Sequence, residues 1–381
     1  MKLTSLILFV GFIMRILIGF YVQFNGIENS LDGDVLNFYE QMRIVSLTGH
    51  YFEFQIGQNQ LVNSFGILMY LFGSEPIIPC LISCAIWYIS AIFFSKSLNL
   101  INCSETTKIY MAIAFILWPT AVYYTAIPLR ESTQLMFITV AAYGALQAIA
   151  RKNAGYLFFT VLGVVGAGSL HGALLAYGTF AAAASTFYYF ANGRQIRVTT
   201  LIVGGVAASL VAWAGISLFS ALSYDLSNGA VISLTSYQEG GLVLISRADY
   251  RTQAYDSGAL GFILSIVSGF FQYMMEPLPT RIGSLSDIIL AVENIARILV
   301  LTMAIFKLSK SQTAEGASLL LFLLLLYVAL EVIWSVGTIN WGTASRHHAP
   351  GLSLLLLIAA QAWAIPSSSK KTSQAMVSRL R

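Results

Sequence analysis

The sequence predicts an all-α protein, a polytopic transmembrane helix bundle with about ten spans and one or two short surface helices on its outer face. The first observation is composition: of 381 residues, 57% are hydrophobic and only 10% are charged, whereas a soluble domain carries about 25% charged residues. The second is that apolar runs of roughly 20 residues, the length of a membrane-crossing helix, recur along the chain. The third is that lysine and arginine fall mainly in the short segments between those runs.

We interpret ten apolar segments as spans because each covers most or all of the length that a helix needs to cross the hydrocarbon core. The first is longer than the apolar region of a signal peptide and no small-residue cleavage site follows it, so we expect it to be retained. Two other apolar segments, 61–73 and 259–275, are shorter and contain glycine or polar residues, and we expect them on the outer surface. The ten predicted spans are 3–23, 77–95, 109–127, 132–150, 155–169, 172–190, 199–221, 286–306, 317–337 and 349–364.

Charge predicts the orientation of the bundle, because cytoplasmic loops are enriched in lysine and arginine. With both short segments on the outer surface, every lysine falls on the cytoplasmic side. If both crossed instead, the basic segments 96–108, 151–152 and 194–197 would move outside. The first arrangement puts both termini in the cytoplasm. We therefore expect a multi-pass protein of a bacterial inner membrane whose active face is extracytoplasmic.

The chain is predicted to form one integral membrane domain, 1–365, followed by a Ser/Lys-rich cytoplasmic tail, 366–381, that we expect to be disordered. Three extracytoplasmic segments are long enough to build a site: 24–76, 222–285 and 338–348. In the first of these, apolar residues recur at helical spacing, which predicts an amphipathic surface helix. Those residues are Val35, Phe38, Tyr39, Met42 and Val45.

One arginine lies deep inside the first predicted span. Arg15 is too far from either end of that span to act as an interfacial anchor. A charge within the membrane is costly unless it is paired inside the protein. We therefore expect Arg15 to pair with Glu331 or Glu293.

An acidic pair follows the first span, where Gly33 separates Asp32 from Asp34. Two carboxylates in a turn can converge, and close like charges raise the pKa of one of them, which suits a general base. The same pair suits a hard divalent cation, so a metal cofactor stays open. Asp-Gly is also ordinary turn chemistry, and a solvated turn is the alternative.

Two further motifs interrupt apolar hairpins on the outer side. The planar guanidinium of Arg130, which precedes Glu131, suits phosphate binding. A charged pair between two spans is costly to keep in lipid and often functional. His171, in the turn between the fifth and sixth spans, could bind phosphate or relay a proton. The alternatives are an ion pair that caps two helix ends and a structural histidine.

A cationic cluster, Arg346, His347 and His348, precedes the last span. Such groups together suit an anionic lipid headgroup or a pyrophosphate. Ordinary interfacial anchoring is the alternative. Adjacent residues face apart on a helix, so we do not expect the two histidines to share a metal ion.

The second outer segment contains a polar and aromatic cluster that is a candidate sugar site. Aromatic rings suit stacking on sugars, and acidic groups suit hydroxyl binding. A solvated loop is equally consistent with the composition. The residues are Arg247, Asp249, Tyr250 and Arg251.

The order of these features resembles the GT-C superfamily of membrane glycosyltransferases, particularly its protein-mannosyltransferase and aminoarabinose-transferase-like branch. The likeness covers about 1–190: an acidic motif opening the first outer loop, a short surface helix, two spans, and a Pro-x-Arg-Glu turn on the outer face. At 57–61 the chain has Gly-Gln-Asn-Gln-Leu where the family usually has Pro-Pro-Leu. The resemblance implies extracytoplasmic transfer of a sugar or oligosaccharide from a polyprenyl-phosphate or diphosphate donor to a glycan or lipid-linked acceptor in cell-surface polysaccharide assembly.

The resemblance also implies residue roles. The family's first-loop acid, the general base, maps onto Asp32 or Asp34, and its Arg-acid turn maps onto Arg130 and Glu131. We expect Arg346, with a neighbouring histidine and Arg130, to hold the donor phosphate and stabilise the leaving group.

Two alternatives stay open. One is an O-antigen or exopolysaccharide polymerase that joins undecaprenyl-diphosphate-linked repeat units. The other is a polysaccharide or lipid transporter, which would need ionisable groups along a path through both faces. The net charge of +4 lies in short loops without a basic stripe, which argues against nucleic acid as a partner. Expected partners are the lipid-linked donor, its acceptor and membrane lipids.

Overall fold

The computed structural model describes most of the chain. The described residues are 3–26, 33–51, 57–101, 103–191, 248–250, 259–310, 314–338 and 340–364. The predicted span 199–221, the tail 366–381 and three predicted site residues, Asp32, Arg247 and Arg251, lie outside them.

The described residues are almost entirely helical, which confirms the all-α prediction. Within them, the β contact is a single antiparallel bridge between Asp249 and Asn340. The first group of helices is α1 Leu3–Asn25, α2 Gly33–Thr48, α3 Gln58–Phe72, α4 Ile77–Leu100, α5 Glu105–Leu117, α6 Pro119–Tyr124, α7 Arg130–Arg151, α8 Leu157–Leu170 and α9 Gly172–Phe190. The second group is α10 Ala259–Met275, α11 Leu285–Lys310, α12 Ala314–Val336, α13 Trp341–His347 and α14 Leu352–Ala364. Short 3-10 turns cover Ala154–Tyr156, Pro279–Arg281 and Ala349–Gly351.

Five of the described helices are long and apolar enough to cross a membrane, which indicates an integral membrane protein. They are α1, α4, α7, α11 and the Gly316–Val336 part of α12. The stretch Ala154–Leu170 is apolar but shorter. By helix length the described residues therefore support five spans, and the ten predicted spans are not confirmed.

A proline divides one of the predicted spans, and another proline delays the start of a second. The segment 109–127 is interrupted at Trp118, and the short helix α6 begins at Pro119. Proline has no N–H to donate and its ring clashes with the preceding turn, so a regular helix ends before it. Pro350 likewise lies in a 3-10 turn, and the regular helix α14 starts only at Leu352.

The core is built around α14, whose residues from Leu352 to Ala362 are all buried. A helix that is apolar all round belongs in the interior of a bundle. α14 packs against α5, α7, α11 and α12, so it lies at the centre of the described helices.

The segment predicted to be a surface helix forms the helix α2, and its apolar stripe faces α3. Val35, Phe38, Tyr39, Met42 and Val45 are each at most 6% exposed. They form one apolar cluster with residues of α3, namely Leu61, Val62, Phe65 and Met69. The helical periodicity is confirmed, and packing on α3 fixes the position of Asp34 in the first turn of α2.

Small residues bring α7 and α8 close together as an antiparallel pair. A Cβ added at Gly144 would lie 2.6 Å from the backbone nitrogen of Thr160, and one at Gly163 would collide with the carbonyl of Phe137. Small residues at such contacts let helix backbones approach within membranes. Because the helices are antiparallel, the start of α7 lies beside the end of α8.

The predicted partners of Arg15 are wrong. Its Nε donates to Thr125 Oγ1 at 2.8 Å, and its guanidinium lies 3.6 Å from the centre of the Trp87 ring. Glu293 forms an ion pair with Arg297, and Glu331 contacts His348, elsewhere in the bundle. A hydroxyl, backbone carbonyls and an aromatic face can contact a buried guanidinium in place of a carboxylate, although Arg15 Nη2 has no hydrogen-bond partner among the described residues.

Candidate functional site

A charged cluster forms where three distant segments of the chain meet. Asp34 comes from the first turn of α2, Glu131 from the first turn of α7, and Arg346 from the last turn of α13. The Arg346 Nε donates to Glu131 Oε1 at 3.0 Å, and its Nη1 donates to Asp34 Oδ2 at 2.8 Å. The structure thus brings together three residues that the sequence motifs predicted separately.

Local sequence places these residues at helix ends. Leu129 is extended, with φ −124° and ψ 167°, so α7 starts with Arg130 and Glu131. Asn340 begins α13, because its side chain accepts a hydrogen bond from the Thr343 N–H at 2.7 Å. An acid in a first helical turn and an arginine in a last turn both complement the helix dipole.

The two carboxylates that bind Arg346 differ sharply in exposure. The side chain of Asp34 is 67% exposed, that of Arg346 15%, and that of Glu131 3%. Glu131 therefore holds the guanidinium from inside the protein, while Asp34 contacts it from the solvent side. The charge of Glu131, with a smaller contribution from Asp34, raises the pKa of Arg346 above its ordinary value.

The two carboxylate oxygens of Glu131 differ in their hydrogen bonding. Oε1 accepts from Arg346, whereas Oε2 is buried and makes no hydrogen bond to any described residue. A buried carboxylate oxygen without a donor is costly, so this atom is ready to accept a hydrogen bond from a bound hydroxyl or water. Arg130, the preceding residue, lies with its guanidinium 5.6 Å from the centre of the Phe38 ring.

Two histidines and a tryptophan lie next to the charged cluster. The His347 ring stacks on Trp334 with centroids 4.1 Å apart, and His171 meets the same indole edge-on at 4.8 Å. Burial, with the charge of Arg130, lowers the pKa of His171 to about 3. Burial, with the neighbouring His171 and Arg346, also lowers the pKa of His347 well below its ordinary value. Both rings are therefore neutral at pH 7 and take part in hydrogen bonds without adding charge.

Hydrogen-bond partners fix opposite tautomers for these two rings. Thr338 donates its hydroxyl hydrogen to the carbonyl of Trp334 at 2.7 Å, so its oxygen accepts from His347 Nδ1–H at 2.7 Å. His347 Nε2 is then the unprotonated nitrogen. His171 Nδ1 instead accepts from the Ala173 N–H at 3.2 Å, which leaves the proton on Nε2. The His347 ring thus offers an acceptor nitrogen, and the His171 ring offers an N–H donor.

His348 belongs to a different environment. Its Nδ1 lies 2.7 Å from Glu331 Oε2, and its Nε2 lies 3.3 Å from the carbonyl oxygen of Tyr273. Both ring nitrogens are used inside the bundle, so the phosphate-binding role predicted for His348 has no support in this geometry. His347 and His348 face different partners, as their adjacency predicted.

The described part of the predicted sugar site is a structural junction. Asp249 pairs with Asn340 at the start of α13, and its carbonyl accepts from Arg281 Nη2 at 2.6 Å. Tyr250 is 7% exposed. These contacts hold the segment against α13, and the sugar-binding role remains a prediction.

The described residues contain no group of three or more His, Cys, Asp or Glu side chains placed to hold a metal ion. Because Asp32 lies outside them, a divalent cation at Asp32 and Asp34 stays a prediction.

Sequence reasoning missed Trp334 and Thr338. A tryptophan near the end of a span is usual at membrane interfaces, so nothing distinguished Trp334 from an anchor. Thr338 sets the tautomer of His347 from nine positions away, a contact without a local sequence pattern.

The fold is a helix bundle that is apolar enough for a membrane, and among the described residues its polar cluster contains two arginines, two carboxylates and two neutral histidines at helix ends. No protein-family model, curated protein or solved structure matches this chain. The likeness to GT-C enzymes therefore rests on the layout and short motifs of the sequence.

Proposed function

We propose that this protein transfers a sugar from a polyprenyl-phosphate donor to a hydroxyl of a glycan or lipid-linked acceptor on the extracytoplasmic side of a membrane. The observation that carries the proposal is the convergence of Asp34, Arg346 and Glu131. A solvent-exposed carboxylate lies beside a guanidinium that a buried carboxylate holds in place. This arrangement suits a reaction that needs a base and an anion-binding group side by side.

The proposed reaction exchanges one carbon–oxygen bond for another. The acceptor oxygen forms a bond to the anomeric carbon as the bond from that carbon to the phosphate oxygen breaks. The acceptor proton passes to the Asp34 carboxylate, and polyprenyl phosphate leaves with the bonding electron pair. No oxidant or reductant is consumed.

Each charged residue has a distinct role in this scheme. Arg346 and Arg130 bind the phosphate and stabilise the negative charge that grows on the leaving oxygen. Glu131 positions Arg346, because it accepts from Nε while Nη1 donates to Asp34. The neutral His171 and His347 supply a hydrogen-bond donor and an acceptor beside the phosphate.

The membrane context supports a lipid-linked donor. A helix bundle gives such a donor lateral access from the bilayer to groups at the helix ends. The distribution of lysines supports an orientation with both termini in the cytoplasm and the site outside.

The test is complementation of a deletion strain with wild type, Asp34→Asn, Arg346→Ala and the control Glu40→Gln. Glu40 is on the same helix as Asp34, and its ion-pair partner among the described residues is Arg43 at the surface, at 3.6 Å. Membrane levels of each variant are matched, and surface glycans and lipid-linked intermediates are analysed. We expect Asp34→Asn and Arg346→Ala to lower transfer by roughly 10²–10⁴-fold and Glu40→Gln to behave as wild type.

The accumulated intermediate identifies the reaction. Glycans that lack one sugar support a monosaccharide transferase. Accumulation of single lipid-linked repeat units would replace that proposal with the polymerase. A wild-type profile for both Asp34→Asn and Arg346→Ala would reject the site.

A further inference from the structure

The two ion pairs of Arg346 differ in their exposure to water, and this difference suggests how the site works. The ion pair with Glu131 is almost wholly buried, so breaking it would leave an unpaired charge away from water. The Asp34 side chain is 67% exposed, so water can replace its contact with Arg346. Exposed ion pairs contribute little to stability, whereas buried ones are costly to break.

We propose that a phosphodiester takes the place of Asp34 on the Arg346 guanidinium and thereby frees the Asp34 carboxylate to act as base. This inference rests on the function proposed above and adds a coupling between donor binding and base activation. Glu131 keeps Arg346 in position throughout the exchange.

Charge balance supports a one-for-one exchange. Among the described residues, the cluster contains two guanidinium groups, Arg130 and Arg346, and two carboxylates, Asp34 and Glu131. The adjacent histidines are neutral, so the positive and negative charges of these described residues cancel. A phosphodiester carries one negative charge, as does the carboxylate it displaces, and the balance at Arg346 is kept.

The exchange sets the order of the steps, because the donor must bind before Asp34 is free to act as base. With the donor absent, Asp34 Oδ2 accepts a hydrogen bond from Arg346 Nη1 at 2.8 Å, so this oxygen is not available to an acceptor hydroxyl. When the donor phosphate binds, the carboxylate is released beside the anomeric carbon that the acceptor must attack.

The test exploits a competition that a simple base would not show. If Asp34 competes with the ligand for Arg346, its removal tightens phosphodiester binding even though transfer is lost. The full-length protein in lipid nanodiscs is titrated with farnesyl methyl phosphate, a single-charged phosphodiester, by calorimetry. Wild type is compared with Asp34→Asn, Asp34→Ala, Arg346→Ala and the surface control Glu40→Gln.

We expect both Asp34 variants to bind about five-fold more tightly, which corresponds to about 1 kcal/mol, the upper value for an exposed ion pair. Arg346→Ala loses binding, and Glu40→Gln matches wild type. Unchanged or weaker binding by both Asp34 variants, with wild type and Arg346→Ala as expected, overturns the exchange and leaves the proposed function standing. If wild type itself does not bind the phosphodiester, the exchange and the proposed function both fail.

Discussion

Arg346 donates to Glu131 across 215 positions of sequence, at 3.0 Å. The contact joins the last turn of α13 to the first turn of α7, and both side chains are largely removed from water. Arg346 therefore depends on α7 for its position, and α7 depends on α13 to compensate a buried carboxylate.

Replacing Glu131 by Gln is expected to lower both stability and activity. The amide cannot balance the charge of Arg346, and loss of one partner from a buried pair costs about 3–5 kcal/mol. We expect the thermal midpoint in detergent to fall by several degrees. The surface variant Glu40→Gln is the matched control and keeps the wild-type midpoint. Equal midpoints for the two variants would show that the buried pair contributes nothing.

Gly144→Ala tests whether close packing of α7 on α8 positions the site. The new Cβ would lie 2.6 Å from the Thr160 backbone nitrogen, so the helices must separate. Overpacking of this kind costs about 1–3 kcal/mol. Gly172→Ala is the control, because its Cβ meets nothing within 4 Å. We expect a lower thermal midpoint only for Gly144→Ala.

The lowered pKa of His171 predicts that the stability of the protein depends on pH. Its pKa is about 3 in the folded protein and about 6.5 when unfolded. The unfolded chain therefore binds the extra proton first, and stability falls as the pH drops from 6.5 toward 3, by at most about 1.4 kcal/mol per pH unit. Above pH 6.5 the contribution of His171 to stability is constant.

The variant His171→Asn isolates that titration. Asparagine keeps a side-chain acceptor for the Ala173 N–H and is a good N-cap, but it has no proton to gain. We expect its thermal midpoint to fall less steeply on acidification than that of wild type. Parallel curves between pH 6.5 and 4 would assign the acid sensitivity to other groups.

Thr125→Val removes the hydroxyl that accepts from Arg15. A buried donor left unsatisfied costs about 1–3 kcal/mol, so the thermal midpoint should fall. In Thr179→Val only a hydroxyl bond within one helix is lost, at 2.9 Å to the Ala176 carbonyl, which makes it the matched control. A similar decrease in both variants would mean that the Arg15 contact adds no stability.

Much of the helical structure could be predicted from sequence, because apolar runs and their end residues act locally. The predicted limits 172–190 and 259–275 agree with α9 and α10. The break at Pro119 was also available from local chemistry, since proline ends a helix. A prediction from apolar length alone overlooks it.

Pairing between distant residues could not be predicted in the same way. Asp34, Glu131 and Arg346 each stand in a motif with recognisable chemistry, but nothing local says that one guanidinium will bind both acids. Arg15 shows the opposite error, because its charge led to the prediction of a carboxylate partner, whereas it contacts a hydroxyl and the Trp87 ring. Such contacts depend on how the helices pack.

The long sequence separation between Glu131 and Arg346 has a consequence for biogenesis. The ribosome releases α7 well before α13. During synthesis the Glu131 carboxylate therefore has no Arg346 counterion until α13 has been made. The anion-binding group is completed only when one of the last described helices has docked. Under the proposed function, a nascent bundle would therefore be unable to bind its donor through Arg346 before assembly is nearly finished.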